Sequence, residues 1–60
     1  MDGWISTSER LPEDGREVMT KIDDSYGPRN EQSLKRQGSL WFHPDYSMYV
    51  YYRPTHWREV

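Results

Sequence analysis

Arg16-Glu17-Val18-Met19-Thr20-Lys21-Ile22 alternates with a period of two, setting Val18, Thr20 and Ile22 against Glu17, Met19 and Lys21. That spacing predicts an extended strand with one buried face and one outward face. Upstream, Leu11-Pro12-Glu13-Asp14-Gly15 reads as a turn: proline fixes φ at a central position, and glycine takes the positive φ that leads the chain into the strand. Further back, Ser6 or Ser8 is positioned to cap one turn of helix through Arg10, stopped by Pro12.

Downstream, residues 23–32 are the most polar and breaker-rich segment and are predicted to be a flexible loop. Residues 33–36 and 39–43 bracket Gln37-Gly38, which reads as a tight hairpin with glycine supplying positive φ. Residues 48–53 are dense in Tyr and Val and predict another strand, with Met48, Val50 and Tyr52 on one side and Tyr49, Tyr51 and Arg53 on the other. Pro54 interrupts it before 55–58 resumes. Breakers at Pro12, Gly15, Gly27-Pro28, Gly38, Pro44 and Pro54 leave no convincing 3.6-residue apolar period. The predicted fold is therefore mainly β: one domain over 1–60, a small twisted antiparallel sheet of three to five strands, with one short helical turn near the N-terminus. A large aromatic stands near each end, in Trp4-Ile5-Ser6 and Thr55-His56-Trp57. Both tryptophans are expected to be buried where the first and last segments meet.

Sixty residues lie close to the lower limit for a self-sufficient core, and with no cysteine there is no disulfide to help. The core must draw on nine aromatics, because aliphatic residues are sparse. So thin a core predicts stability gained from a partner or a second copy. A Tyr-rich 48–53 strand at a sheet edge would invite a symmetric dimer. No apolar run approaches the ~20 residues of a membrane span and no export-type leader is visible, so the expected location is cytoplasmic.

The formal net charge is −2, which argues against a general nucleic-acid binder. Its placement is uneven: residues 1–28 hold seven acids and three bases, and residues 29–58 hold five bases and two acids. His43 and His56 are the only histidines and lack ligand spacing, so no metal is expected. Glu13-Asp14 and Asp23-Asp24 fall in turn and loop contexts with nothing to enclose them. No catalytic residues, enzyme activity or cofactor are expected. The constellation with functional reach interleaves aromatic and basic residues: Lys35, Arg36, Trp41, Phe42, His43, Tyr46, Tyr49, Tyr51, Tyr52, Arg53, Trp57 and Arg58. Rings beside cations suit base stacking on single strands and protein hot spots alike. Since Tyr49 and Tyr51 cannot share a face with Val50 and Tyr52, some rings are expected to stay outside.

Trp-Ile-Ser at 4–6, Leu-Pro-x-x-Gly-x-x-Val at 11–18 and Thr-His-Trp at 55–57, in that order, resemble the small phage and prophage proteins of domain-of-unknown-function family 551. The resemblance implies a phage-type accessory protein in the cytoplasm of the host cell. Such a protein would act stoichiometrically by docking on a host or phage protein, with inhibition of host defence, including CRISPR effectors, as the sharpest version. Glu9, Glu13, Asp14, Glu17, Asp23 and Asp24 would then mimic phosphate charge toward a basic channel. The candidate protein-binding residues are Glu13, Asp14, Asp23 and Asp24 on the acidic side and Tyr49, Tyr51 and Arg53 on the aromatic side. The alternatives are single-stranded nucleic-acid binding through the aromatic-basic face, or a structural, oligomer-forming role with no separate ligand.

Overall fold

The computed structural model describes residues 3–60. Five strands form one antiparallel sheet: β1 (Ile5–Ser6), β2 (Glu17–Asp24), β3 (Gly27–Gln37), β4 (Leu40–Phe42) and β5 (His56–Glu59). Their spatial order is β1-β5-β2-β3-β4. The last strand thus lies between the first and second, and Ile5 pairs with Trp57 and Ser6 with His56. The stitching of the two ends expected from their tryptophans is present.

The alternation in β2 decides the sheet's two faces, because residues directly opposite one another on neighbouring strands project to the same side. Val18 faces Leu34, Thr20 faces Trp57, and Arg36 faces Trp41. On this side lie Val18, Thr20, Ile22, Leu34, Trp41 and Trp57, which are all the buried strand residues among those described. Ile5 and Val50 pack against them. Two irregular segments close over this side. In the first, the Trp57 indole N–H donates to the Arg10 carbonyl at 3.0 Å, and Pro12 is buried. In the second, Val50 packs on the core, the Gln32 amide donates to the Tyr52 hydroxyl, and Pro54 is buried.

Several expectations need correction. The described residues contain no helix: the expected helical turn is one closed turn in which the N–H groups of Glu9 and Arg10 both donate to the Ser6 carbonyl. Pro12, lacking an N–H, cannot extend it. Residues 23–32 are not a loop but the distal ends of β2 and β3 with a tight turn between them, Asp24 pairing with Gly27. Gly27 takes φ 94° after Ser25 and Tyr26, a common hairpin solution. The second hairpin turns at Gly38-Ser39 rather than Gln37-Gly38, since Gln37 pairs with Leu40. With φ 63° at Gly38 and glycine first, it has the character of a type II′ turn.

Residues 48–53 do not form a strand. Tyr46, at φ 60°, turns the chain back after Pro44, and only a single bridge, Phe42 to Tyr49, joins it to the sheet. The His43 N–H donates to the Met48 carbonyl and the Val50 N–H to the Trp41 carbonyl. One of the two grounds for expecting a dimer, a Tyr-rich edge strand, is therefore absent, and the small core remains the other. Trp57 is 3% exposed, as expected, whereas Trp4 is only half-buried. Ile5 faces the core, so its neighbour Trp4 projects to the opposite side of the sheet.

Candidate functional site

The side of the sheet opposite the core carries Ser6, Glu17, Met19, Lys21, Asp23, Ser33, Lys35, Phe42, His56 and Arg58, by the same pairing rule. None of these residues is buried. Two rows cross the strands: Arg58 beside Met19 beside Ser33, and Glu17 beside Lys35 beside Phe42 beside Tyr49. His56 beside Lys21 lies at the same side.

The rings and cations of this face are organised with each other. The Lys21 ammonium lies 4.3 Å and the Arg58 guanidinium 5.1 Å from the centroid of Trp4. At the other end the Lys35 ammonium lies 5.2 Å over Tyr46. Phe42 packs tilted against Tyr46 at 5.6 Å and edge-on against Tyr49 at 6.1 Å, and Tyr49 meets Tyr51 edge-on at 5.3 Å. Attraction between a cation and a ring's negative face fixes the position of the charge without neutralising it. Among the described residues Lys35 and Arg58 make no ion pair, while Lys21 lies 3.3 Å from the Asp23 carboxylate.

The acidic candidates are dispersed and engaged. Asp14 accepts from the Arg36 guanidinium at 3.0 Å and from the Gly38 N–H at 3.3 Å, fastening the turn before β2 to the second hairpin. Asp24 accepts from both terminal nitrogens of Arg29, at 2.8 and 3.0 Å, and from the Tyr26 N–H. The Arg29 guanidinium, with help from that backbone donor, holds the Asp24 carboxyl at about 2, against an ordinary value of 3.8. Glu13 is exposed and Asp23 half-buried. Asp14 lies in the turn before β2 and Asp24 at the far end of that eight-residue strand, which alone spans roughly 24 Å at ~3.4 Å per residue. They form no single acidic patch.

On the aromatic side Tyr49 and Tyr51 are exposed, as their alternation with Val50 predicted, with Tyr51 at 86%. Arg53 is exposed too and lines a shallow groove with Leu40, Trp41 and Tyr51. The constellation itself divides. Trp41 and Trp57 go into the core, while Lys35, Phe42, Tyr46, Tyr49 and Arg58 remain at the open side. Sequence reasoning did not gather Trp4, Met19 and Lys21 into this site. The signal was available for two of them, because the β2 alternation puts Met19 and Lys21 on the outward face. No group of three or more potential metal ligands converges among the described residues. None of them forms a helix long and apolar enough to cross a membrane.

A family model described as a protein of unknown function, domain-of-unknown-function family 551, matches residues 3–60. Comparisons with curated proteins and with solved structures found no match.

Proposed function

We propose that this chain, which belongs to domain-of-unknown-function family 551, is a non-catalytic protein-binding module whose recognition surface is the uncovered face of its sheet. The observation supporting this reading is the gathering of Trp4, Met19, Phe42, Tyr46 and Tyr49 with Lys21, Lys35 and Arg58 on the side of the sheet opposite the core. Trp, Tyr, Met, Phe and Arg are the residue types enriched where proteins meet, because each offers a large contact area at modest entropic cost. A small phage-type protein of this kind acts by occupying a surface of its partner, and blocking a host-defence effector is the form in which occupancy has the largest consequence.

The acidic charge-mimic version has less support than the aromatic version. Asp14, Asp23 and Asp24 each have a cationic neighbour within the chain, so their fields are largely spent internally. A photo-crosslinking amino acid at Tyr49 tests the reading against the same probe at Tyr26, which is 88% exposed at the tip of the first hairpin. The reading expects a protein adduct in host lysate from position 49, competed by unlabelled protein and not by Tyr49→Ala. Equal adducts from both positions, or competition by Tyr49→Ala as effective as by the native chain, would contradict it.

A further inference from the structure

The uncovered face differs in charge from the rest of the molecule. The chain as a whole is at −2, yet Lys35 and Arg58 stand on this face without a carboxylate partner among the described residues, and Lys21 shares its ring, Trp4, with Arg58. The face's own acids are Asp23, engaged with Lys21 at 3.3 Å, and Glu17, at the rim opposite Lys35. Each of the three cations lies over a ring, so little side-chain freedom remains to be lost when an anion arrives. Resting on the reading of this face as a protein-binding surface, we propose that its occupant is an acidic polypeptide segment, with carboxylates directed at Lys35 and Arg58 and an apolar side chain seated between them on Met19 and Phe42.

Three observations favour a polypeptide over a nucleic-acid strand. Two unneutralised cations match two or three carboxylates, whereas binding to a phosphate backbone characteristically enlists more, about six to ten contacts in strong binders. The Phe42, Tyr46, Tyr49 and Tyr51 rings meet one another tilted or edge-on, and cations lie over Trp4 and Tyr46, so the rings do not present a row of open faces for successive bases. The net negative charge also repels a polyanion at long range, while a short acidic segment feels chiefly the local cations.

Selection of a random-peptide display library on the immobilised full chain tests this, followed by fluorescence anisotropy of the enriched peptides beside a labelled oligo(dT). The expected result is peptides enriched in Asp and Glu around an apolar anchor, binding at least tenfold tighter than oligo(dT). Affinity should fall at least tenfold for Lys35→Glu with Arg58→Glu and rise for Glu17→Gln, a sign that a merely structural role for these residues would not give. Circular dichroism melts of the variants separate lost binding from lost fold, and Glu17→Gln, on an exposed rim, reads the charge independently. Peptides that depend on Tyr49 yet show no acidic enrichment would overturn the acidic occupant and leave the protein-binding face standing. Absence of any peptide sensitive to Tyr49→Ala would overturn both. Oligo(dT) binding tighter than any selected peptide would assign the face to nucleic acid instead.

Discussion

Thr55 does with a hydroxyl what the sheet's backbone does elsewhere. Its own N–H donates to the Lys21 carbonyl at 2.9 Å, its Oγ1 accepts from the Asp23 N–H at 2.7 Å, and its carbonyl accepts from the Thr7 N–H at 2.9 Å. The carbonyl of buried Pro54, just before it, accepts from the Thr7 hydroxyl at 3.0 Å, and the Thr55 side chain supplies the acceptor for the Asp23 N–H. Thr20 plays a comparable part inside, fully buried with its hydroxyl donating to the Gln32 carbonyl at 2.8 Å. Thr20→Val keeps the shape and removes that hydrogen bond, so a loss of about 0.5–1.5 kcal/mol in stability is expected, read as a lower denaturant midpoint with an unchanged slope. Asp24 gives a test at the surface. Its carboxyl titrates near 2 when folded and at the ordinary 3.8 when free, so the linked stabilisation is fully present above 3.8 and disappears as pH falls through about 2. Carboxyl NMR should find that low midpoint, and Arg29→Ala should move it up toward 3.8; a midpoint indifferent to Arg29 would contradict the pairing. Neither threonine's role was legible in the sequence. Each depends on which backbone groups the fold brings within reach of a threonine hydroxyl.

At the scale of elements, β2 was readable because a half-buried strand writes its burial into a period of two. β3 was not. Ten of its eleven residues, all but Leu34, are glycine, proline or carry polar or charged groups, and its distal half sits at an open edge where β4 covers only Lys35–Gln37. Pro28 is tolerated there for that reason. A bulge lies between Thr20–Gln32 and Ile22–Arg29, with Asn30 at φ 57°. A polar residue able to adopt the left-handed region reads in sequence as a turn, and here it twists a continuing strand. Asn30→Gly should therefore leave the melting midpoint close to native, while Asn30→Val should destabilise by roughly 1–2 kcal/mol; equal behaviour of the two would remove the bulge from the account. Residues 48–53 show the converse error. Their Tyr and Val content reads as strand, yet positive φ at Tyr46 re-aims the segment so that it covers the core through Val50 while still leaving Tyr49 and Tyr51 outside. Alternation survived where the hydrogen-bond ladder did not.

For the whole molecule, the two tryptophans that frame the chain have different work. Trp57 lies in the core and ties down the N-terminal turn through Arg10; Trp4 lies outside, against Lys21 and Arg58. Trp57→Ala should cost about 3–5 kcal/mol, comparable with the full stability of a small domain, and unfold the protein. Trp4→Ala should stay folded with a lower melting temperature and impaired binding. The reverse ranking in thermal melts would invert the assignment of the sheet's faces. The sequence announced that both rings mattered, but one residue of offset in β1 decides which goes in and which stays out, and that register comes from pairing with β5. The proposed recognition face was likewise only partly legible, because its members come from the ends and middle of the chain and meet through the placement of β5 between β1 and β2. Of the acidic candidates, Asp14, Asp23 and Asp24 each stand beside a cation of the chain, while Glu13 is exposed. Amide NMR of the labelled chain, titrated with a selected acidic peptide, maps recognition onto one or the other. The account predicts shifts concentrated at Met19, Lys21, Lys35, Phe42, Tyr49 and Arg58, with Val18, Thr20 and Leu34 little moved; shifts centred instead on Asp14, Asp23, Asp24 and the first hairpin would contradict it.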